Sequence, residues 1–330
     1  MNMPIQNQAS PTDQHTSLIT HNVIVCVHNG YSDVVQCLQS LAHTWEAEGL
    51  GNLILVDDYS DDETADYLNE FAKDHDYATL IRLDEQHFYT RAANIGLKFS
   101  TATLNTLLNS DTIVTPSWAQ KIRSLFERDP NIGIVGPLSN AASTQSIPHV
   151  KSAAGQTAIN HLPDGMSVER FADAISHLAS GLIVPYVPVI HGFCYTIHRK
   201  VIDKIGYLDE ENFPTGYGEE NDYSFRADDA GFALGVALNS FVYHAKSKSY
   251  KPEQQQEFTR AGHDALARKH SAWRIESVIK QMENQPSLKT IRERVADFWP
   301  EHDWLKPPEL NHETLEDHIN SEPARLGRAW

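Results

Sequence analysis

Positive charge is scarce in this chain. Its 330 residues carry 27 Lys and Arg against 44 Asp and Glu, a formal net charge of −17. Nucleic acid and polybasic membrane attachment call for the opposite balance, so both are excluded as general partners, while a local site for an anionic ligand is not. Cysteine is equally sparse. Cys26, Cys37 and Cys194 are odd in number and lie inside apolar segments, which argues for reduced thiols in a cytoplasmic setting rather than a disulfide framework. Long apolar runs are missing too: segments such as Val23 to Val27 fall far short of a membrane span of about 20 residues. The polar stretch from Met1 to Ser17 lacks the apolar core of a signal peptide. Also absent is a Gly-x-Gly-x-x-Gly after the first strand, where Val27-His-Asn-Gly-Tyr-Ser32 stands instead; that excludes a dinucleotide dehydrogenase. No basic glycine-rich loop points to a nucleotidyltransferase.

What remains is a chain of alternating strands and helices. Residues 1–20 read as a disordered leader rich in Asn, Gln, Ser, Thr and Pro. Val23–Val27 is a β-branched run, hence a strand covered on both faces. Further strands are expected at Leu53–Val56, Thr79–Leu83, Asn105–Asn109 and Ile132–Val135. Helices fall between them, one with Val34, Leu38, Leu41, Ala42 and Trp45 on a single face. Ser60-Asp-Asp-Glu63 fits a capping box, and Thr115-Pro116 fits a capping hydroxyl followed by proline at the first helical position. Such alternation implies an α/β fold with a mostly parallel sheet and right-handed crossovers. Residues 137–165 lose periodicity and read as a long functional loop. A helix follows over Val168–Leu178, then strands at Tyr186–Ile190 and Phe193–Ile197, and a short helix at Arg199–Ile205. A helix from Glu219 ends at Gly231. From Pro252 to about Phe298 the chain is helical and charged.

Three constellations can carry chemistry. Leu107-Leu-Asn-Ser-Asp-Thr-Ile-Val-Thr115 runs from a buried strand into Asn109, Ser110 and Asp111, which puts a carboxylate where open α/β sheets bind ligands. An amide and a carboxylate two residues apart offer a divalent cation two oxygens, and a diphosphate could add more. Asp57 and Asp58 end another strand on the same edge; crowded carboxylates call for a cation or a hydrogen-bonding ligand. Gly216-Tyr-Gly-Glu-Glu-Asn-Asp-Tyr-Ser-Phe-Arg226 places Glu219, Glu220 and Asp222 in one helical first turn. The helix dipole accounts for some of these acids, and Arg226 can pair with Asp222 at i, i+4, leaving Glu220 freer as a base. Phe241-Val-Tyr-His244 supplies a histidine that becomes a plausible metal ligand only if it faces Asp111.

In this order the motifs resemble the family 2 inverting glycosyltransferases of GT-A fold, in particular their rhamnosyltransferase-like members. The matching pieces are Val25-Cys-Val-His-Asn29, Val56-Asp-Asp-Tyr-Ser-Asp61, Arg91-Ala-Ala-Asn-Ile-Gly96, Leu108-Asn-Ser-Asp111, His191-Gly-Phe-Cys194, Gly218-Glu-Glu-Asn-Asp222 and His244. The resemblance covers residues 21–250 and leaves 251–330 as a helical C-terminal extension and tail. It implies a Rossmann-like sheet flanked by helices. It further implies transfer of a hexose or deoxyhexose from a nucleotide-diphosphate donor to a glycan, lipid-linked or protein hydroxyl, as in surface polysaccharide or glycoconjugate synthesis, with Mn²⁺ or Mg²⁺. By position, Cys26, His28, Asn29, Asp57, Asp58, Arg91, Asn94 and Ser110 would line the nucleotide pocket. Asp111, His244 and Asn109 would hold the metal, with Asn109 standing where the family motif has its first aspartate. His191, Gly192 and Trp118 would border the sugars. Glu220 would be the base, with Glu219 and then Asp222 as rivals. A module that binds sugar nucleotides or scaffolds a glycan assembly complex is the non-enzymatic alternative.

Overall fold

A computed structural model describes residues 19–246 and 252–307. The expected leader, apart from residues 19 and 20, and the tail beyond residue 307 lie outside the described residues. The central element is a seven-stranded sheet in the order β3-β2-β1-β4-β7-β6-β8. Its strands are β1 (His21–Val27), β2 (Leu53–Asp57), β3 (Ala78–Arg82), β4 (Leu104–Asn109), β6 (Ile132–Leu138), β7 (Cys194–His198) and β8 (Ala233–Phe241). β5 (Thr112–Ile113) and β9 (Tyr243–His244) form a separate two-stranded antiparallel pair. The first four strands of the order are mutually parallel. β7 runs antiparallel to both β4 and β6, and β8 is parallel to β6.

Side chains alternate across each strand, so the β-branched run of β1 feeds two cores. Ile24 faces one cluster and Val23, Val25 and Val27 the other. Burying one such side chain contributes roughly 1.5–3 kcal/mol. Against the first face pack α3 (Phe88–Phe99), α5 (Val168–Leu178), α6 (Arg199–Ile205), α7 (Glu219–Asp229) and α10 (Pro286–Phe298). Against the second lie α1 (Tyr31–Glu48), α2 (Asp62–Asp74) and α4 (Trp118–Arg128). Gly96 lets α3 close on β1: a Cβ there would lie 2.4 Å from Ile24 Cγ2. The remaining helices, α8 (Pro252–Lys269) and α9 (Ala272–Asn284), join α10 in the C-terminal part. Among the described residues no helix is long and apolar enough to cross a membrane.

Several local expectations are corrected. Tyr186–Ile190 is not a strand; Tyr186 makes only an isolated bridge to Gly235. α4 starts at Trp118, not at Pro116, because the Thr115 hydroxyl donates to Phe241 O at 2.7 Å and caps nothing. The α4 N-terminus is capped instead by Glu48, whose Oε2 accepts from Ala119 N at 3.1 Å and Gln120 N at 3.0 Å. Asp61 rather than Ser60 caps α2, accepting from Thr64 N at 3.0 Å. Residues 139–147 of the long loop are largely buried. Gln145 holds that loop by donating to Pro137 O at 2.7 Å and accepting from His191 N at 2.6 Å.

Candidate active site

Strands β1, β2 and β3 follow one another in one direction across the sheet, and β4 then returns to the other side of β1. That reversal opens a crevice beyond the carboxyl ends of β1 and β4, the usual ligand position in open α/β sheets. Cys26 and Asn109 face each other in register at its floor.

On one side of the crevice two loops are laced together. His28 Nδ1 lies 2.8 Å from Asp58 O, and Asn29 Oδ1 accepts from Asp61 N at 2.7 Å. Asp58 Oδ1 accepts from His87 N at 2.6 Å, tying in the segment before α3. Asp57 is spent on structure: its Oδ2 pairs with Arg82 at 2.6 Å and its Oδ1 accepts from Ser60 N at 2.9 Å. Asn94 is fully buried and saturated by Leu208 N, Leu208 O and Glu210 Oε2. It fastens α3 to the 208–210 segment and presents nothing to a nucleotide. Arg91 is exposed on α3, and Ser110 is half-buried at the turn between β4 and β5. Burial raises the Cys26 thiol well above its usual range, with the Asp58 charge adding to the effect.

At the centre, the β5–β9 pair brings Asp111 and His244 together. Thr112 faces His244 in register, and Ala245 N donates to Asp111 O at 2.9 Å. His244 Nε2 lies 3.3 Å from Asp111 Oδ1 and 3.5 Å from Asn109 Nδ2. Its other nitrogen, Nδ1, is 2.9 Å from Ala141 O, a carbonyl that only accepts. Nδ1 therefore donates there and Nε2 is turned toward Asp111, the orientation in which imidazole ligates a metal. Asn140 grips the His244 backbone at both N and O (2.8 and 3.1 Å), and Phe193 stacks on the ring. Among the described residues no group of three or more His, Cys, Asp or Glu side chains is placed to hold a metal. One oxygen and one nitrogen on a single side suit a cation whose other ligands come with a diphosphate.

On the far side stand the acids of α7. Gly218 N donates to Glu219 Oε2 at 3.0 Å and to Glu220 Oε2 at 3.2 Å. A Cβ at Gly192 would sit 3.7 Å from the Glu220 side chain, so the His191-Gly192 turn lies directly against it. Burial, followed by the Glu220 charge, pushes Glu219 well above the usual carboxyl range. Burial also raises Glu220, but the Gly218 N–H, a hydrogen bond from Glu219 and the Lys246 charge pull it back. Burial thus raises both carboxyls, and Glu219 more than Glu220, which makes Glu220 the more acidic of the pair. Asp222 is fully buried and engaged by Arg226 Nε (2.8 Å), Lys269 Nζ (2.7 Å) and His270 Nε2 (2.9 Å).

Trp118 is not brought to this cluster. It is completely buried in the core on the α4 face, where it cannot touch a sugar. Conversely, motif reading missed Lys246, held at φ +60° just after β9. Burial depresses its ammonium pKa while Asp111 and Glu220 raise it, and its charge is felt by His191, which burial holds down at about 3. A single lysine in a Lys- and Ser-rich stretch gives no sequence signal. Tyr89 was missed as well. It packs against Gly216, and its phenol, raised well above the usual range by burial, is raised further by Cys26, Glu219 and Glu220.

A mostly parallel α/β sheet with an Asp–His pair at its switch point, faced by a helix-borne carboxylate, has the GT-A form. Residues 22–206 match the Glycosyl transferase family 2 profile, and the chain belongs to that family. No curated protein sequence matches it. Among solved structures it is similar to GalNAc-T7 with UDP, GalNAc and Mn²⁺, at TM-score 0.55 and 17% identity over 92% of this chain and 58% of that one. It is also similar to the mannosyltransferase PcManGT from Pyrobaculum calidifontis in complex with GDP-Man and Mn²⁺, at TM-score 0.53 and 14% identity. That match covers 86% of this chain and 75% of the other. The chain thus spans little more than half the length of GalNAc-T7, and at these identities the likeness is one of fold.

Proposed function

We propose that the protein is an inverting glycosyltransferase that moves a sugar from a nucleotide-diphosphate donor to an acceptor hydroxyl. The observation carrying this reading is the Asp111–His244 pair, 3.3 Å apart at the sheet's switch point, with Lys246 between Asp111 and Glu220 in electrostatic terms. The base and ribose lie over Cys26, His28, Asn29 and Asp58, and the diphosphate over Asp111, His244 and Lys246. Family membership supports the donor class. Neighbours crystallised with Mn²⁺ support a divalent cation held by Asp111 and His244, with the Asn109 amide at its edge.

The residues divide the work by position. When bound, the cation neutralises charge developing on the leaving diphosphate. Lys246 adds a positive charge on the same side. Glu220, ionised and set against Gly192, takes the proton of the acceptor hydroxyl as that oxygen attacks the anomeric carbon; a carboxylate opposite the leaving group gives direct displacement with inversion. Glu219 shares the Gly218 N–H with Glu220 and stands beside it in the same first turn. His191 and Gly192 border the acceptor and the transferred sugar. The acidic composition and reduced cysteines favour the cytoplasm, where sugar nucleotides are made, and a role in polysaccharide or glycoconjugate synthesis.

The test is incubation with a panel of sugar nucleotides and Mn²⁺, with and without simple glycoside acceptors, followed by NMR of the product anomer. Donor consumption with an inverted anomer supports the proposal. A retained anomer, or no donor turned over or bound, contradicts it.

A further inference from the structure

The C-terminal helices lie beyond the residues that match the family profile, which end at 206. So does α7, which carries Glu219 and Glu220. The backbone of α8 approaches the turn before α7 more closely than any side chain would allow. A Cβ on Gly262 would lie 1.8 Å from Tyr217 O and 3.3 Å from Tyr217 Cβ. From the other side, a Cβ on Gly218 would lie 3.5 Å from Gly262 O. Tyr217 is itself held at φ +63°, between two glycines at φ +86° and φ +126°. In this conformation the Gly218 N–H reaches both Glu219 and Glu220.

A second contact fixes the same helix three residues further on. At the end of α8, Lys269 Nζ lies 2.7 Å from Asp222 Oδ1 and bridges to Asp209, and His270 Nε2 lies 2.9 Å from the same Asp222 oxygen. Asp222 is inaccessible to solvent, so its charge depends on Lys269, on Arg226 and on the hydrogen bond with His270. Breaking one partner of such a buried set is costly because it leaves a charge uncompensated.

We propose that α8 is a working part of the site: Gly262, Lys269 and His270 are positioning residues that hold the Gly216–Asp222 turn so that Glu220 stays against Gly192. Gly262 supplies closeness, since any larger residue must lift α8 or shift the turn. Lys269 and His270 supply registration by anchoring the first turn of α7. The kinetic half of this inference rests on the transferase reading above; the structural half does not.

The test compares wild-type full-length protein with Gly262→Ala, Lys269→Met and Lys269→Arg by hydrogen–deuterium exchange and by kinetics. The expected result is faster exchange in peptides covering 216–222 for Gly262→Ala and Lys269→Met, with the β1–β4 strands unchanged, and near-wild-type exchange for Lys269→Arg. In transfer assays kcat falls by about 10- to 100-fold, as expected of an ångström-scale misplacement, while the donor KM stays within about twofold. Should Gly262→Ala fail to fold, Lys269→Met alone decides. Unchanged exchange over 216–222 in the folded variants, or a donor KM that rises in step with the loss of kcat, overturns the inference. If exchange changes as expected but wild type transfers no sugar, the positioning role stands and the transferase reading falls.

Discussion

Glu220 and Lys246 set the chemistry at the scale of single residues. Burial raises the folded pKa of Glu220 above the ordinary value of 4.5, and the charge of Lys246 opposes that rise. A base must be ionised to act, so kcat/KM should fall on the acid side along a limb lying above pH 4.5. Removing the nearby cation with Lys246→Met raises the carboxyl pKa further and should move that limb to higher pH. A pH–rate profile checks both; a limb at or below 4.5, or one that Lys246→Met leaves in place, goes against the account. The placing of Asp111 on the edge where β2 ends in Asp57 was legible because strand ends in a parallel sheet share an edge. The meeting of His244 with Asp111 was legible only as a condition, since it depends on the antiparallel β5–β9 pair. Lys246 was not, since its place depends on β9 pairing with β5 across more than a hundred residues. Asp57 and Asn94 carry motif positions yet spend their polar atoms on Arg82, Ser60, Leu208 and Glu210, a distinction that only tertiary partners reveal.

Elements were legible where periodicity and local caps agree. α6 spans the expected Arg199–Ile205, and α7 begins at Glu219 as its glycines and acids require. α4 shows the failure: its cap is Glu48, 70 residues earlier and 1% exposed. A cap supplied from another helix leaves no local trace, whereas Thr115-Pro116 imitates one. Glu48→Ala should therefore destabilise the fold by about 1–2 kcal/mol, the upper part of the range for a lost N-cap, and Thr115→Val should act through Phe241 O rather than through α4. Denaturant titration of Glu48→Ala checks the first; no change in midpoint would remove Glu48 as the cap. The reversed strand β7 was also invisible beforehand, because alternation predicts parallel order and carries no information about where a later strand inserts.

Across the whole molecule, one buried polar thread links stability to pH. His21 Nε2 bonds Thr106 at 2.7 Å, and Thr106 bonds Thr196 at 2.6 Å, spanning β1, β4 and β7. Burial, aided by Arg123, lowers the His21 pKa from 6.5 to about 3. The unfolded chain therefore binds a proton at this residue below pH 6.5 that the folded chain refuses. Stability falls as pH drops below 6.5 and goes on falling to about 3, by up to about 1.4 kcal/mol per pH unit from this group. Urea midpoints between pH 7 and pH 5 should show the decline, and His21→Leu should remove part of it. An unchanged slope in His21→Leu would assign the acid sensitivity elsewhere.

The claim on which the molecule's proposed activity turns is that Glu220, and not its neighbour, removes the acceptor proton. Glu220→Gln keeps the shape while deleting the proton acceptor, and a general base supplies roughly 10²–10⁴-fold in rate. Burial holds the Glu219 carboxyl further above the usual range than that of Glu220, so Glu219→Gln removes the weaker acid and should be the milder change. The decisive measurement is the transfer rate of both variants beside their donor affinity by calorimetry in Mn²⁺. The account predicts a loss of at least about a hundredfold for Glu220→Gln with donor affinity little altered, within the range for a general base. Abolition of transfer by Glu219→Gln with Glu220→Gln near wild type would contradict it.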